Sequence, residues 1–246
     1  MLPLPQTYVI KAADLKKVKA LGFTIHSTLT NPQNFINSHF TNFNLLHFAQ
    51  EVDKIFLFLT TKTVAKEITL EDAPPVMYFQ YYSTDYDNAI SGLALSRVFR
   101  LAPDGIAVEH EFFRLPQSSR GQGVAKLLFR ASLQQYINMG VKRIYVHAAL
   151  QDGGYVWARN FFTATDKTEV TAILDNAERN LPVPQFRAVK RIYDNYYSKD
   201  PSGTAFPIVK WAELPFMKDI LRGSDWHGIL DLTNAEQFSN FIKYIN

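Results

Sequence analysis

The sequence predicts an α+β fold: a mixed, mostly antiparallel sheet flanked by helices, with a helical C-terminal extension. Three observations carry this expectation. Two β-rich runs, 91–101 and 106–115, flank the turn Pro103-Asp104-Gly105 and predict an antiparallel hairpin. An amphipathic repeat over 124–139 follows at once and is closed by Gly140. Finally, 47% hydrophobic and 14% aromatic residues among 246 suffice for a large core and argue against disorder.

The elements read in order as follows. Residues 7–11, Thr-Tyr-Val-Ile-Lys, predict a short strand, and 14–20 a helix ended by Gly22. Asn31-Pro32 predicts a helix start, with Asn at the N-cap and Pro at the first position. Apolar residues at 35, 36, 40, 43, 46, 48 and 52 then extend an amphipathic helical region. Residues 75–83 are aromatic and β-rich and precede the hairpin. After the helix at 124–139 come a strand over 143–150 and a short helix over 155–162, entered through Gly153-Gly154. Helices are expected at 166–180 and 185–197, split by Leu-Pro-Val-Pro, then a loop over 199–207. A last helix over 234–245 is capped by Asn234 or Thr233. These readings divide the chain into a domain over 1–165, whose motif-bearing core is 90–165, and a helical extension over 166–246.

Bulk properties narrow the function classes. A net charge of +3 is too small to point to nucleic acid by itself. The chain has no cysteine, which removes disulfides, thiol nucleophiles and cysteine metal sites. Its opening, Met-Leu-Pro-Leu-Pro-Gln, has neither the basic nor the apolar segment of a leader. Runs such as 55–59 are too short to span a bilayer. A cytoplasmic protein without membrane partners is expected. The six histidines form no His-Glu-x-x-His or comparable pair, so no metal site is expected, and no Gly-x-Ser-x-Gly elbow is present.

The most informative stretch is 115–131. Strand 106–115 runs into a polar loop, and Arg120-Gly121-Gln122-Gly123 opens the helix that begins Val124-Ala125. A helix start presents unpaired N–H groups and the positive end of its dipole, and glycines allow close backbone approach, so the stretch is suited to an anion such as phosphate. A Walker loop would need Gly-Lys-Ser/Thr, and a dinucleotide fingerprint three spaced glycines; neither is present. A surface turn capping a helix would have the same local composition.

Arg120-Gly121-Gln122-Gly123-Val124-Ala125, in its strand–loop–helix–strand setting, resembles the pyrophosphate loop of GNAT-type, acyl-CoA-dependent N-acyltransferases. The resemblance implies acyl-CoA, by family analogy acetyl-CoA, as co-substrate and an amine as acceptor. It implies that the amides of 120–125 hold the diphosphate and that Arg120 adds a charge-assisted contact. It also implies a main-chain oxyanion donor near Phe113 to Leu115.

Such a transfer needs a base for the amine. In Val108-Glu109-His110-Glu111, strict alternation sets Glu109, Glu111 and Phe113 on one face and His110 and Phe112 on the other. Glu111, nearer the loop, is the expected base and Glu109 the alternative; two solvent-facing carboxylates on a hairpin would show the same pattern. His110 is expected to pack or lie at the surface.

The family's usual Gly-Phe pair corresponds here to Phe161-Phe162. The tyrosine that acts there as general acid is replaced by Trp157, and the family's Asn by Leu150. Tyr155 is the expected substitute acid, although two residues along a helix is about 200° of rotation. Two readings follow: an N-acyltransferase acting on an unidentified small-molecule or peptide amine, or a catalytically degenerate relative that binds CoA as a sensor or interaction module. Arg187, Lys190, Arg191 and Lys199, interleaved with Tyr193, Tyr196 and Tyr197, have the composition of a nucleic-acid surface, or of a basic helix face over an aromatic core. The core is the expected reading.

Overall fold

The computed structural model describes residues 4–246; Met1–Pro3, part of the opening read as lacking a leader, lie outside the described residues. The architecture is α+β, in two compact units: one up to Lys142, joined by Ile245–Asn246, and one over Arg143–Tyr244.

In the first unit the strands run β1 (Thr24–His26), β2 (Val64–Asp72), β3 (Pro75–Ser83), β4 (Ala94–Ala102) and β5 (Gly105–Arg114), in that spatial order. β1 pairs parallel to β2, and the other pairs are antiparallel. Its helices are α1 (Ala12–Ala20), α2 (Pro32–His39), α3 (Leu45–Phe56) and α4 (Val124–Met139). The hairpin and α4 form as expected. Asn31 caps α2, its side chain accepting from the Asn34 amide at 3.2 Å. The single helical region expected from 32 onward is two helices: the chain breaks at Asn42, whose φ is 63°, and restarts with Asn44 accepting from the His47 amide.

Residues 7–11 do not form the expected strand. Their neighbourhood is held by asparagines instead of a ladder. Asn37 accepts from the Ile10 amide at 2.9 Å and donates to the Ile10 carbonyl at 3.0 Å, and Asn42 accepts from the Tyr8 amide. Backbone groups need partners, and these side chains supply them. An aromatic core lies between the sheet and its helices: Phe43 and Phe99 are 5.1 Å apart, Phe48 and Phe79 4.7 Å, and Phe99 and Tyr136 6.3 Å.

The second unit contains β6 (Arg143–Ala148), α5 (Leu150–Arg159), β7 (Thr163–Ala164), α6 (Lys167–Asn180), α7 (Val183–Tyr197), the short α8 (Val209–Ala212) and α9 (Lys218–Leu221), β8 (Trp226–Asp231) and α10 (Ala235–Ile245). β8 pairs antiparallel with both β6 and β7, so the C-terminal region is not purely helical. Residues 143–165 and 166–244 fall in this one unit. Asp166 caps α6 and Asn234 accepts from the Gln237 amide at the start of α10. Among the described residues, no helix is long and apolar enough to cross a membrane.

Candidate functional site

The site begins with an interruption in the β4–β5 ladder. Ser96 pairs with Phe112 and Val98 with Glu109, so the register steps over Arg97 on one strand and over His110 and Glu111 on the other. One extra residue on β5 makes this a β-bulge, which breaks strict alternation and re-aims side chains. The expected faces are therefore corrected. Phe113 sits opposite Leu95, with its ring 5.8 Å from the Arg97 guanidinium. Phe112 instead shares a cavity wall with Glu111.

Arg97 braces the bulge from within. Its side chain is fully buried, and Nη1 donates to the Ser96 carbonyl at 2.8 Å and to the Phe112 carbonyl at 3.3 Å. Burial pulls its pKa down to about 10, so it stays charged at neutral pH. His110 is equally buried, stacks on Phe129 and shares a 2.9 Å hydrogen bond with the Tyr136 hydroxyl. Burial first, and the Arg97 charge second, hold its pKa well below the usual histidine value. His110 is a neutral core group, in keeping with the packing role expected for it.

The two candidate carboxylates differ in their partners. Glu109 is paired with Arg100 at 2.5 Å. Glu111 makes no ion pair among the described residues; the Ser96 hydroxyl donates to its Oε2 at 2.6 Å. Glu111 is exposed and borders a cavity of about 420 Å³ with Gln80, Tyr82, Tyr86 and Phe112.

β5 ends at Arg114, and buried Leu115 leads through Pro116 into a 3-10 turn over Gln117–Ser119. Gly121 and Gly123 both adopt left-handed backbone, with φ of 76° and 80°, which glycine accommodates best. A Cβ at either would meet nothing within 4 Å, so there is open space beside both. Gly123 is the N-cap of α4, and no side chain caps this sixteen-residue helix. Val124 is buried and anchors the first turn; Ala125 follows within it. Arg120 turns its guanidinium to the chain: Nε donates to the Leu115 carbonyl at 3.0 Å and Nη2 to the Ala89 carbonyl at 2.6 Å. Gln122 donates from its side chain to the Ser118 carbonyl at 2.6 Å. These bonds brace the loop from both ends. Beside it lies an open cleft of about 610 Å³, bordered by Phe58, Lys62, Ile90, Ser91, Gln117 and Ser118.

Tyr155 belongs to the second unit, on α5, with the Lys218 ammonium 5.9 Å from its ring centre. Trp157 on the same helix is buried, edge-on to Phe162 at 5.1 Å. Gly153 and Gly154 lie inside α5, which starts at Leu150, five residues earlier than expected. A Cβ on Gly154 would overlap the Ser224 hydroxyl and the Leu221 carbonyl, so this glycine serves close packing within the unit. The tyrosines of α7 are likewise committed to packing: Tyr197 stacks on Phe206 at 5.7 Å, and Tyr193 lies 4.6 Å from Tyr197. Among the described residues no acidic or histidine cluster is arranged to hold a metal ion.

Sequence reasoning missed Ser96, Arg97, Tyr86 and Phe112 as site residues. Only the buried arginine on an apolar strand, in Leu-Ser-Arg-Val-Phe, offered a signal. No protein-family model matches the chain, and no curated protein matches it.

Proposed function

We propose that the chain is an acyl-CoA-dependent N-acyltransferase, with acetyl-CoA as the donor suggested by family analogy. The observation that carries this reading is the braced loop over 120–125. Two left-handed glycines with open space beside them lead into a sixteen-residue helix whose N-terminus no side chain caps. The positive end of that helix's dipole, at a start that no side chain caps, favours a diphosphate.

The proposed reaction gives each of these groups a role. Glu111 takes a proton from the acceptor ammonium; its Oε1 is the oxygen not engaged by Ser96. The amine nitrogen attacks the thioester carbonyl carbon and forms a tetrahedral oxyanion. A main-chain N–H near Phe113 to Leu115, beyond the bulge, stabilises that charge. Collapse breaks the carbon–sulfur bond and releases the amide and CoA, the second nitrogen proton passing to the departing sulfur or to water while Glu111 returns the first to solvent. By family analogy alone Tyr155 stands as the proton donor to the sulfur, and a thiolate also leaves unaided, because thiols ionise near pH ~8.5. Arg120 supports the loop through its carbonyl contacts.

The burial of Trp157 at the position of the family's acid supports a second reading, a CoA-binding sensor without turnover. Thiol release from acetyl-CoA with a panel of small amines separates the two. Amine-dependent release that Glu111→Gln abolishes supports the enzyme; CoA binding without release from any amine supports the sensor.

A further inference from the structure

The geometry points to the cavity at Glu111 as a site for a small organic ammonium ion without a carboxylate of its own, an arylalkyl amine being the best fit. This rests on the acyltransferase reading insofar as the bound amine is the acceptor. The bulge opposite Arg97 brings Glu111 and Phe112, neighbours in sequence, to the same cavity. Three aromatic rings gather there: Tyr82 and Tyr86 are 5.1 Å apart, and Phe112 stands edge-on to Tyr86 at 6.3 Å. Aromatic faces attract cations through their quadrupole and also accept an aromatic body.

Among the described residues, Glu111 is the only charged side chain lining the cavity, and its negative charge has no ion-pair partner there. Glu109, two residues back, is neutralised by Arg100. The nearby cation, Arg114, stacks on Phe112 at 5.5 Å and donates to the Asp87 carbonyl; it does not line the cavity. An amino acid would bring a carboxylate to a cavity lined by no cation, and would be rejected on charge. At about 420 Å³ the cavity suits a small molecule more than an extended peptide.

The test is calorimetric titration of the full chain, at neutral pH and without CoA. The probes are phenethylamine, hydrocinnamate (its carboxylate counterpart), phenylalanine and a short lysine-containing peptide amide. Glu111 is exposed and Tyr86 is 46% exposed, so Glu111→Gln and Tyr86→Ala leave the core untouched. Phenethylamine is expected to bind, with hydrocinnamate and phenylalanine at least about tenfold weaker and each variant weakening the amine by about tenfold. Equal or tighter binding of either carboxylate or of the peptide overturns the inference. So does unchanged amine affinity in both variants, or no amine binding up to about 10 mM. A parallel CoA titration separates the claims. Amine binding without CoA binding defeats the acyltransferase reading alone, and CoA binding without amine binding defeats this inference alone.

Discussion

Ser96 and Glu111 meet across the slipped register of β4 and β5, the serine hydroxyl donating to Oε2 at 2.6 Å. The contact engages one carboxylate oxygen, and in the proposed reaction the other takes the substrate proton. On the proposed acyltransferase reading, Glu111→Gln is expected to lower turnover by about 10²-fold or more. Glu109→Gln is expected to cost less than about threefold, because its partner is Arg100 and its loss is that of a part-exposed ion pair. Steady-state kinetics of both variants decide between them; a larger loss at Glu109 would reassign the base.

His110 gives the fold a pH dependence of known sign. Its folded pKa lies well below the ordinary histidine value of about 6.5, through burial and then through Arg97. As pH falls through that value, the unfolded chain takes up a proton that the folded chain refuses. Stability is thus full above it and declines below, by about 1.4 kcal/mol for each pH unit while the folded imidazole stays neutral. Urea unfolding of the wild type and His110→Gln between neutral and mildly acidic pH isolates this contribution. A flatter acid-side slope is expected in the variant, and equal slopes would show that His110 is not its source.

Adjacent glycines in α5 should respond in opposite directions. Gly154→Ala drives a Cβ into Ser224 and the Leu221 carbonyl, and is expected to destabilise by about 1–3 kcal/mol. At Gly153 the nearest atom to an added Cβ is 3.5 Å away, an ordinary contact. Gly153→Ala removes backbone freedom from the unfolded chain and is expected to stabilise by about 0.5–1 kcal/mol. Thermal melts of the two variants read the difference. A lower melting temperature for Gly153→Ala would point to a role for that glycine outside packing.

Elements whose contacts are local were legible in the sequence. α4 has its helical period and Gly140, whose φ is 68°, and the hairpin has its turn at Gly105, φ 130°. What escaped depends on distant partners. β2 is rich in charge, yet Lys66 within it pairs with Asp53 of α3 and the Leu21 carbonyl, so a strand with a polar composition packs inward. Residues 7–11 have strand composition, but asparagines from α2 and its following turn take their backbone groups. β8 carries Gly228, a poor strand residue by composition, because a Cβ there would overlap the Trp226 ring.

The candidate site divides the same way. Loop 120–125 could be read from its glycines and the helix behind it. The pairing of Glu111 with Phe112 could not, because the bulge depends on a buried arginine that donates to main-chain carbonyls of both strands.

The proposed role of loop 120–125 is to hold the diphosphate of CoA. Its most direct test is calorimetric titration of the chain with CoA, beside Gly123→Trp, whose side chain would enter the open space at the helix start. Saturable binding with Kd below about 1 mM is expected, weakened by about tenfold or more in a variant that still folds. Absence of saturable heat at about 1 mM CoA, or equal affinity in the folded variant, would contradict it.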